Sequence, residues 1–82
     1  MAKVVLPLEV ARTFAAGETE HEFAARDVRE LMRQLEQRIP GIRARLERGI
    51  AVAIDTEIYQ DWFVEPIGPD SEVRFLPAIE GG

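Results

Sequence analysis

The chain contains no cysteine, and this absence removes several kinds of chemistry at once. Disulfide bonds, thiolate metal sites and a cysteine nucleophile all need that side chain, so the sequence excludes them. Aromatic residues are also scarce, at 7% of the 82 residues. Because so small a domain has few large side chains for its core, we expect Tyr59, Trp62 and Phe63 to cover the core in preference to forming a docking surface.

Long hydrophobic runs are missing as well. The N-terminal region alternates apolar and polar residues, so we expect neither a signal peptide nor a membrane span, and we expect a cytoplasmic protein. Cationic residues are in the minority, since ten Lys and Arg stand against fifteen Asp and Glu, for a net charge of −5. Phosphate binding needs a concentrated basic surface, so this balance disfavours nucleic acid and favours a basic partner protein.

Apolar residues are sufficient for one small domain. They make up 46% of the chain, which suits a single core and leaves no room for a second one or for a deep substrate cleft. We expect one domain over residues 1–82, with a flexible C-terminal tail over residues 77–82.

Alternating apolar residues predict a first strand over residues 3–10. Pro7 interrupts it, because proline has no N–H to donate, and indicates a bulge, a strand end or an unpaired edge. A polar turn at Gly17 precedes a second short strand over residues 20–24, with Phe23 pointing inward. These segments predict an N-terminal hairpin.

A helix beginning after Asp27 is the clearest pattern in the chain. Its apolar residues keep the spacing of one helix face: Val28, Leu31, Met32, Leu35 and Ile39. Asp27 is the predicted N-cap, and Glu30 is placed to accept a hydrogen bond from the amide of the cap residue, which would complete a capping box. Pro40-Gly41 ends the helix, and residues 42–46 predict one further helical turn.

The C-terminal half predicts further strands. Residues 50–54 resume a period of two, residues 55–57 form a turn, Ile58-Tyr59 form a minimal strand, and the last strand begins at Glu72. In this last strand the inward pair is Val73 and Phe75, and Arg74 and Leu76 face solvent or a partner. The predicted fold class is α+β, with a mixed sheet of four to five strands packed on one long helix.

Gly81-Gly82 directly follow a strand-like run over residues 72–80, which includes the Leu-Pro-Ala step at residues 76–78. Together with residues 27–31, 39–42 and 51–54, the segment 70–82 resembles the MoaD/ThiS family of ubiquitin-like sulfur carriers, which have the β-grasp fold. The resemblance covers nearly the whole chain. It departs at Asp55, where family members commonly carry asparagine.

The resemblance implies a co-substrate rather than an enzyme. A ubiquitin-activating-type adenylyltransferase, using ATP and magnesium, would adenylate the Gly82 carboxylate, and a sulfur donor would convert it to a thiocarboxylate. The sulfur would pass to an accepting synthase subunit or enzyme in molybdopterin, thiamin or cysteine biosynthesis. A carboxylate is a poor electrophile until its oxygen becomes a leaving group, and without cysteine no internal thiol can trap the activated end. The carrier itself would hold no cofactor and no metal.

The tail residues receive separate roles. Gly82 carries the reactive group, and Gly81 lets the backbone pass through a narrow channel because it has no Cβ. Glu80 and Ile79 thread with them, and Pro77 stiffens the exit from the strand. Leu76, Arg74 and Ile79 are the contacts we expect for the activating partner. For Leu76, plain structural packing is an equally good explanation.

Two other function classes stay open. A ubiquitin-like modifier would use the same activated Gly82 but form an isopeptide bond with a lysine, and a simple binding module would not use the diglycine at all.

Two further patterns favour ordinary surface roles. His21 stands between Glu20 and Glu22, but neighbouring strand residues point to opposite faces, so the three cannot converge on one metal ion. The arginines of the helical region form a possible basic stripe, at positions 26, 29, 33, 43, 45 and 48. Glutamates are interleaved with them, which favours a solvated face with local ion pairs.

Overall fold

The computed structural model describes residues 1–48 and 50–77, and in these residues five strands and three helices surround one hydrophobic core. In chain order they are β1 (Ala2–Val5), α1 (Leu8–Phe14), β2 (Glu20–Phe23), α2 (Val28–Arg38), α3 (Ile42–Leu46), β3 (Ile50–Ile54), β4 (Glu57–Tyr59) and β5 (Glu72–Pro77). The strands form one sheet in the order β2-β1-β5-β3-β4, in which β1 and β5 pair in parallel and the other neighbours pair antiparallel.

The first predicted strand is correct only as far as Val5. Pro7 takes the N-cap position of α1 with φ −58°, because its locked φ is suited to the start of a helix. Val10 and Ala11 are buried in succession, whereas Leu8 is 53% exposed, so the period of two ends here. β1 and β2 do pair as an antiparallel ladder, with Val4 opposite His21, but α1 connects them in place of a tight turn.

The predicted N-cap of α2 is confirmed. The Asp27 carboxylate accepts a hydrogen bond from the Glu30 N–H at 2.8 Å. The returning bond differs from the prediction, because Glu30 Oε1 accepts from the N–H of Arg26 at 3.0 Å and not from that of Asp27. Glu30 therefore fixes the residue before the N-cap, and two hydrogen bonds stabilise the start of the helix.

The helical layer contains more than one helix. α2 is the long helix that the sequence predicts, and its buried residues Val28, Leu31, Met32 and Leu35 pack into the core. α1 and α3 contribute Val10, Ala11, Ile42 and Leu46 to the same core. The long helix and the further helical turn over residues 42–46 are confirmed, whereas α1 was not predicted, because its seven residues are too few for a helical period to stand out from an alternating pattern.

The irregular segment between β4 and β5 supplies part of the core. Trp62 and Ile67 are buried, and the Trp62 ring meets Phe75 edge to face, with the ring centroids 6.2 Å apart. Phe63 is half-buried, whereas Val64 is 68% exposed. Core cover by the aromatic residues is thus confirmed most clearly for Trp62. Within residues 1–48 and 50–77, no helix has both the length and the apolar character needed to cross a membrane.

Candidate functional site

The strand that leads to the tail lies in the middle of the sheet. β5 is held on one side by β1, where Val5 is opposite Arg74, and on the other by β3, where Ala53 is opposite Arg74. Pro77, the last described residue, is opposite Ile50 of β3. The ladder with β1 ends at Arg74, whereas the ladder with β3 continues to Pro77, so β3 fixes the base of the tail to the body of the protein.

The two faces of β5 are those that the alternation predicts. Val73 and Phe75 are buried in the core, with 0% and 1% of their surface exposed, whereas Arg74 is exposed and Leu76 is half-buried on the other face. The cross-strand register surrounds Arg74 and Leu76 with small and aliphatic residues of the same face, namely Val5, Ala51, Ala53 and Ile58. We call this set of six residues the outer patch.

The outer patch contains exposed residues of two kinds, aliphatic and cationic. Ile58, on the edge strand β4, is 66% exposed and adds apolar area to this face. Arg74 donates a hydrogen bond through Nη2 to Glu72 Oε1 at 2.8 Å, and about half of each of these side chains is accessible to solvent. An exposed pair of this kind contributes about 1 kcal/mol or less to stability, so its main effect is to hold the guanidinium on this face. The outer patch therefore combines exposed apolar surface with one cation, Arg74, whose guanidinium is oriented by Glu72.

The turn between β3 and β4 borders the outer patch. Asp55 and Thr56 both have positive φ, at 49° and 82°, as in a two-residue type I′ hairpin. The Asp55 carboxylate accepts a hydrogen bond from the Glu72 N–H at 2.9 Å. This hydrogen bond is the main cause of a lowered pKa for Asp55, and a hydrogen bond from the Ser71 side chain is the second cause. The turn is therefore tied to the first residue of β5. The sequence predicts a turn here but not this hydrogen bond, because no local pattern shows that Asp55 and Glu72 are neighbours in the fold.

Several predicted site residues cannot be placed. Ile79, Glu80, Gly81 and Gly82 lie outside the described residues, and so does the tail beyond Pro77. Among the described residues, no three His, Asp or Glu side chains are grouped so that they could hold a metal ion. His21 Nε2 instead lies 2.8 Å from the carbonyl oxygen of Glu18, and the register places Glu20 and Glu22 on the opposite face.

Solved structures share this architecture. A chain from the crystal structure of the Amycolatopsis orientalis BexX/CysO complex superposes with a TM-score of 0.84 at 28% identity, covering 100% of both chains. Mycobacterium tuberculosis CysO, described as an antigen, gives 0.85 at 18% identity over 96% of this chain and 100% of its own. The small archaeal modifier protein 1 of Methanosarcina acetivorans gives 0.77 at 20% identity over 99% and 95%. They confirm the predicted β-grasp, ubiquitin-like fold.

The family follows from the sequence. The model of the ThiS family matches residues 7–82, so the chain belongs to the ThiS family. Among curated protein sequences, none matches this chain. Family and fold together make it a sulfur-carrier or ubiquitin-like protein.

Proposed function

We propose that this protein is a sulfur carrier whose reactive group is the carboxylate of Gly82. A ubiquitin-activating-type adenylyltransferase uses ATP and magnesium to activate this group, a sulfur donor converts it to a thiocarboxylate, and an accepting enzyme or synthase subunit receives the sulfur. The observation that carries the proposal is the match to the ThiS family, which extends through residue 82 and so includes Gly81-Gly82.

The chemistry requires little from the carrier itself. An oxygen of the carboxylate attacks the α-phosphorus of ATP and pyrophosphate leaves, which gives an acyl adenylate. Hydrosulfide, or a donor of the same oxidation level, then attacks the acyl carbon, and a C–S bond forms as the C–O bond to AMP breaks. The phosphate is the leaving group that a bare carboxylate lacks. No step needs a side chain of the carrier, so the protein is a co-substrate and its partners supply the catalysts.

The body of the protein supports this use in two ways. β5 is paired with β1 as far as Arg74 and with β3 as far as Pro77, so the tail begins from a strand that is held in the sheet. The outer patch includes Arg74 and Leu76 of the same strand and offers apolar area around Arg74, which suits contact with an activating partner. The 28% identical chain was itself crystallised in a complex, which supports a partner-bound mode of action.

The test is loading of the purified chain. It is incubated with ATP, magnesium and a ubiquitin-activating-type adenylyltransferase from the same organism, sulfide is added, and the intact mass is measured. We expect ATP–pyrophosphate exchange, followed by the mass gain of one oxygen replaced by one sulfur. The matched control lacks Gly81 and Gly82 and should show neither signal.

The other function classes predict different products. A protein modifier would give a ladder of conjugates on immunoblots of cell extracts, dependent on Gly81-Gly82, without free thiocarboxylate. A simple binding module would keep its biological function after deletion of both glycines. Either result would overturn the carrier assignment. Molybdopterin, thiamin and cysteine synthesis all remain candidates for the accepting pathway, and the thiocarboxylate form can be offered to the acceptor of each in turn.

A further inference from the structure

Charge is distributed unevenly between the helical region and the rest of the chain. Residues 28–48 contain six arginines and three glutamates, whereas the remaining residues contain four cationic and twelve anionic side chains. The protein is therefore anionic overall, but the region of α2, α3 and the two residues after α3 has an excess of positive charge. Nine of its ten cations are arginine, the side chain whose planar fork fits carboxylate and phosphate groups.

All three glutamates of this region already have partners. Glu30 pairs with Arg26 and Glu47 pairs with Arg43, both at 3.2 Å. Glu36 accepts the N–H groups of Gly41 and Arg43 at 2.9 and 3.0 Å, and these bonds lower the pKa of its carboxyl group. By contrast, neither Arg29 nor Arg33 has a carboxylate of the described residues within ion-pair distance.

Phe63 holds two of the arginines in place. The guanidinium carbon of Arg29 lies 5.3 Å from the centroid of the Phe63 ring, and that of Arg43 lies 5.8 Å from it. Stacking on an aromatic face restricts a guanidinium without using its N–H donors, so less side-chain entropy is lost when an anion binds. Because both groups lie over one ring, they are at most about 11 Å apart. Arg33 is one helical turn from Arg29 on the same side of α2.

We propose that Arg29, Arg33, Arg43 and Phe63 form a docking surface for a short acidic segment of a partner protein. We call these four residues the basic patch. The inference goes beyond the carrier function and does not depend on it. Carboxylates two or three residues apart in an extended peptide are separated by about 7 to 10 Å, which is within the upper limit of about 11 Å on the distance between the Arg29 and Arg43 guanidiniums. Val64, which follows Phe63 in the chain, is 68% exposed.

The negative charge around the basic patch favours a short acidic ligand over a long one. A nucleic acid would extend past the basic patch and meet a surface in which anions outnumber cations three to one, which repels a long polyanion. A peptide with two or three acidic residues can end before it reaches that surface. The helices cover the opposite side of the sheet from the outer patch, so the two surfaces can be occupied together.

Binding of a defined peptide tests the proposal. A fluorescein-labelled peptide of about eight residues that alternates Glu and Ser is titrated with the full chain, and anisotropy is followed from about 0.05 M to about 0.5 M salt. We expect saturable binding that weakens with salt, and amide shifts in NMR spectra confined to the neighbourhood of the basic patch. The doubly substituted variant Arg29→Gln/Arg33→Gln should bind about tenfold more weakly or worse.

A second variant separates the basic patch from overall charge. Arg12→Gln/Arg38→Gln removes the same charge, and neither of these arginines lies over Phe63, so it should bind as the wild type does. Circular dichroism and thermal unfolding of both variants check that they fold. Equal weakening in the two variants, or no saturable binding of the peptide, would overturn the proposal. Tighter binding of a single-stranded oligonucleotide than of the peptide would overturn the choice of occupant.

Discussion

Thr56 offers a direct test of how the border of the outer patch is built. Its φ is 82°, in the left-handed region, where a β-branched side chain clashes with its own backbone. Such a residue costs about 1 to 3 kcal/mol. Replacement by glycine removes the clash, while glycine's greater freedom in the unfolded chain costs about 0.5 to 1 kcal/mol. The exposed Thr56 side chain has little packing to lose.

We therefore expect Thr56→Gly to raise the free energy of unfolding by about 1 kcal/mol, which is about 4 to 8 °C in Tm for a domain of this size. Urea and thermal unfolding followed by circular dichroism measure it. Thr56→Ala is the control, because it removes the branch and the hydroxyl but keeps the Cβ, and should give a smaller gain. An unchanged or lower urea midpoint for the glycine variant would refute the idea that this turn stores strain.

Three other predictions concern the cap, the turn and the tail. Asp27→Ala should lower unfolding stability by about 1 kcal/mol through loss of the N-cap, whereas Asp61→Ala, which removes an exposed carboxylate away from any helix start, should have little effect in the same urea titration. Because the pKa of Asp55 is lowered in the folded state, its stabilising effect is present above the unfolded pKa and is lost as the pH falls through the folded pKa. The stability advantage of wild type over Asp55→Asn should accordingly shrink in acid, and an advantage independent of pH would contradict this. Gly81→Ala should abolish thiocarboxylate loading in mass spectra while leaving the unfolding curve unchanged, and normal loading would contradict the narrow-channel argument.

The features that could be predicted from the sequence are those decided by neighbouring residues. The cap at Asp27 and the stripe of α2 depend on spacings of three and four, and the faces of β5 depend on simple alternation. These local rules also placed Leu76 and Arg74 on the outer face, where the structure has them.

The features that were missed depend on contacts between distant residues. Leu6, Leu8 and Val10 happen to continue the alternation of β1, so only the burial of Ala11 beside Val10 reveals α1. No local pattern shows that β5 enters the sheet between β1 and β3. No local pattern shows the hydrogen bond from Glu72 to Asp55 either, or the stacking of Arg29 and Arg43 on Phe63. In both cases the residues that meet are far apart along the chain.

Substitutions on the two faces of β5 separate the effect of core stability on loading from the effect of the outer patch. Val73 is fully buried, so Val73→Ala removes core contacts and should cost about 2 kcal/mol of stability. It leaves the outer patch and the tail unchanged, so loading at a temperature where the variant is folded should match that of the wild type. Leu76→Glu changes the outer patch and should keep most of the stability but slow loading about tenfold. If the Leu76 variant loads as fast as the wild type while the Val73 variant also does so, the outer patch does not bind the activating enzyme. In that case Leu76 has only the packing role that the sequence left equally open.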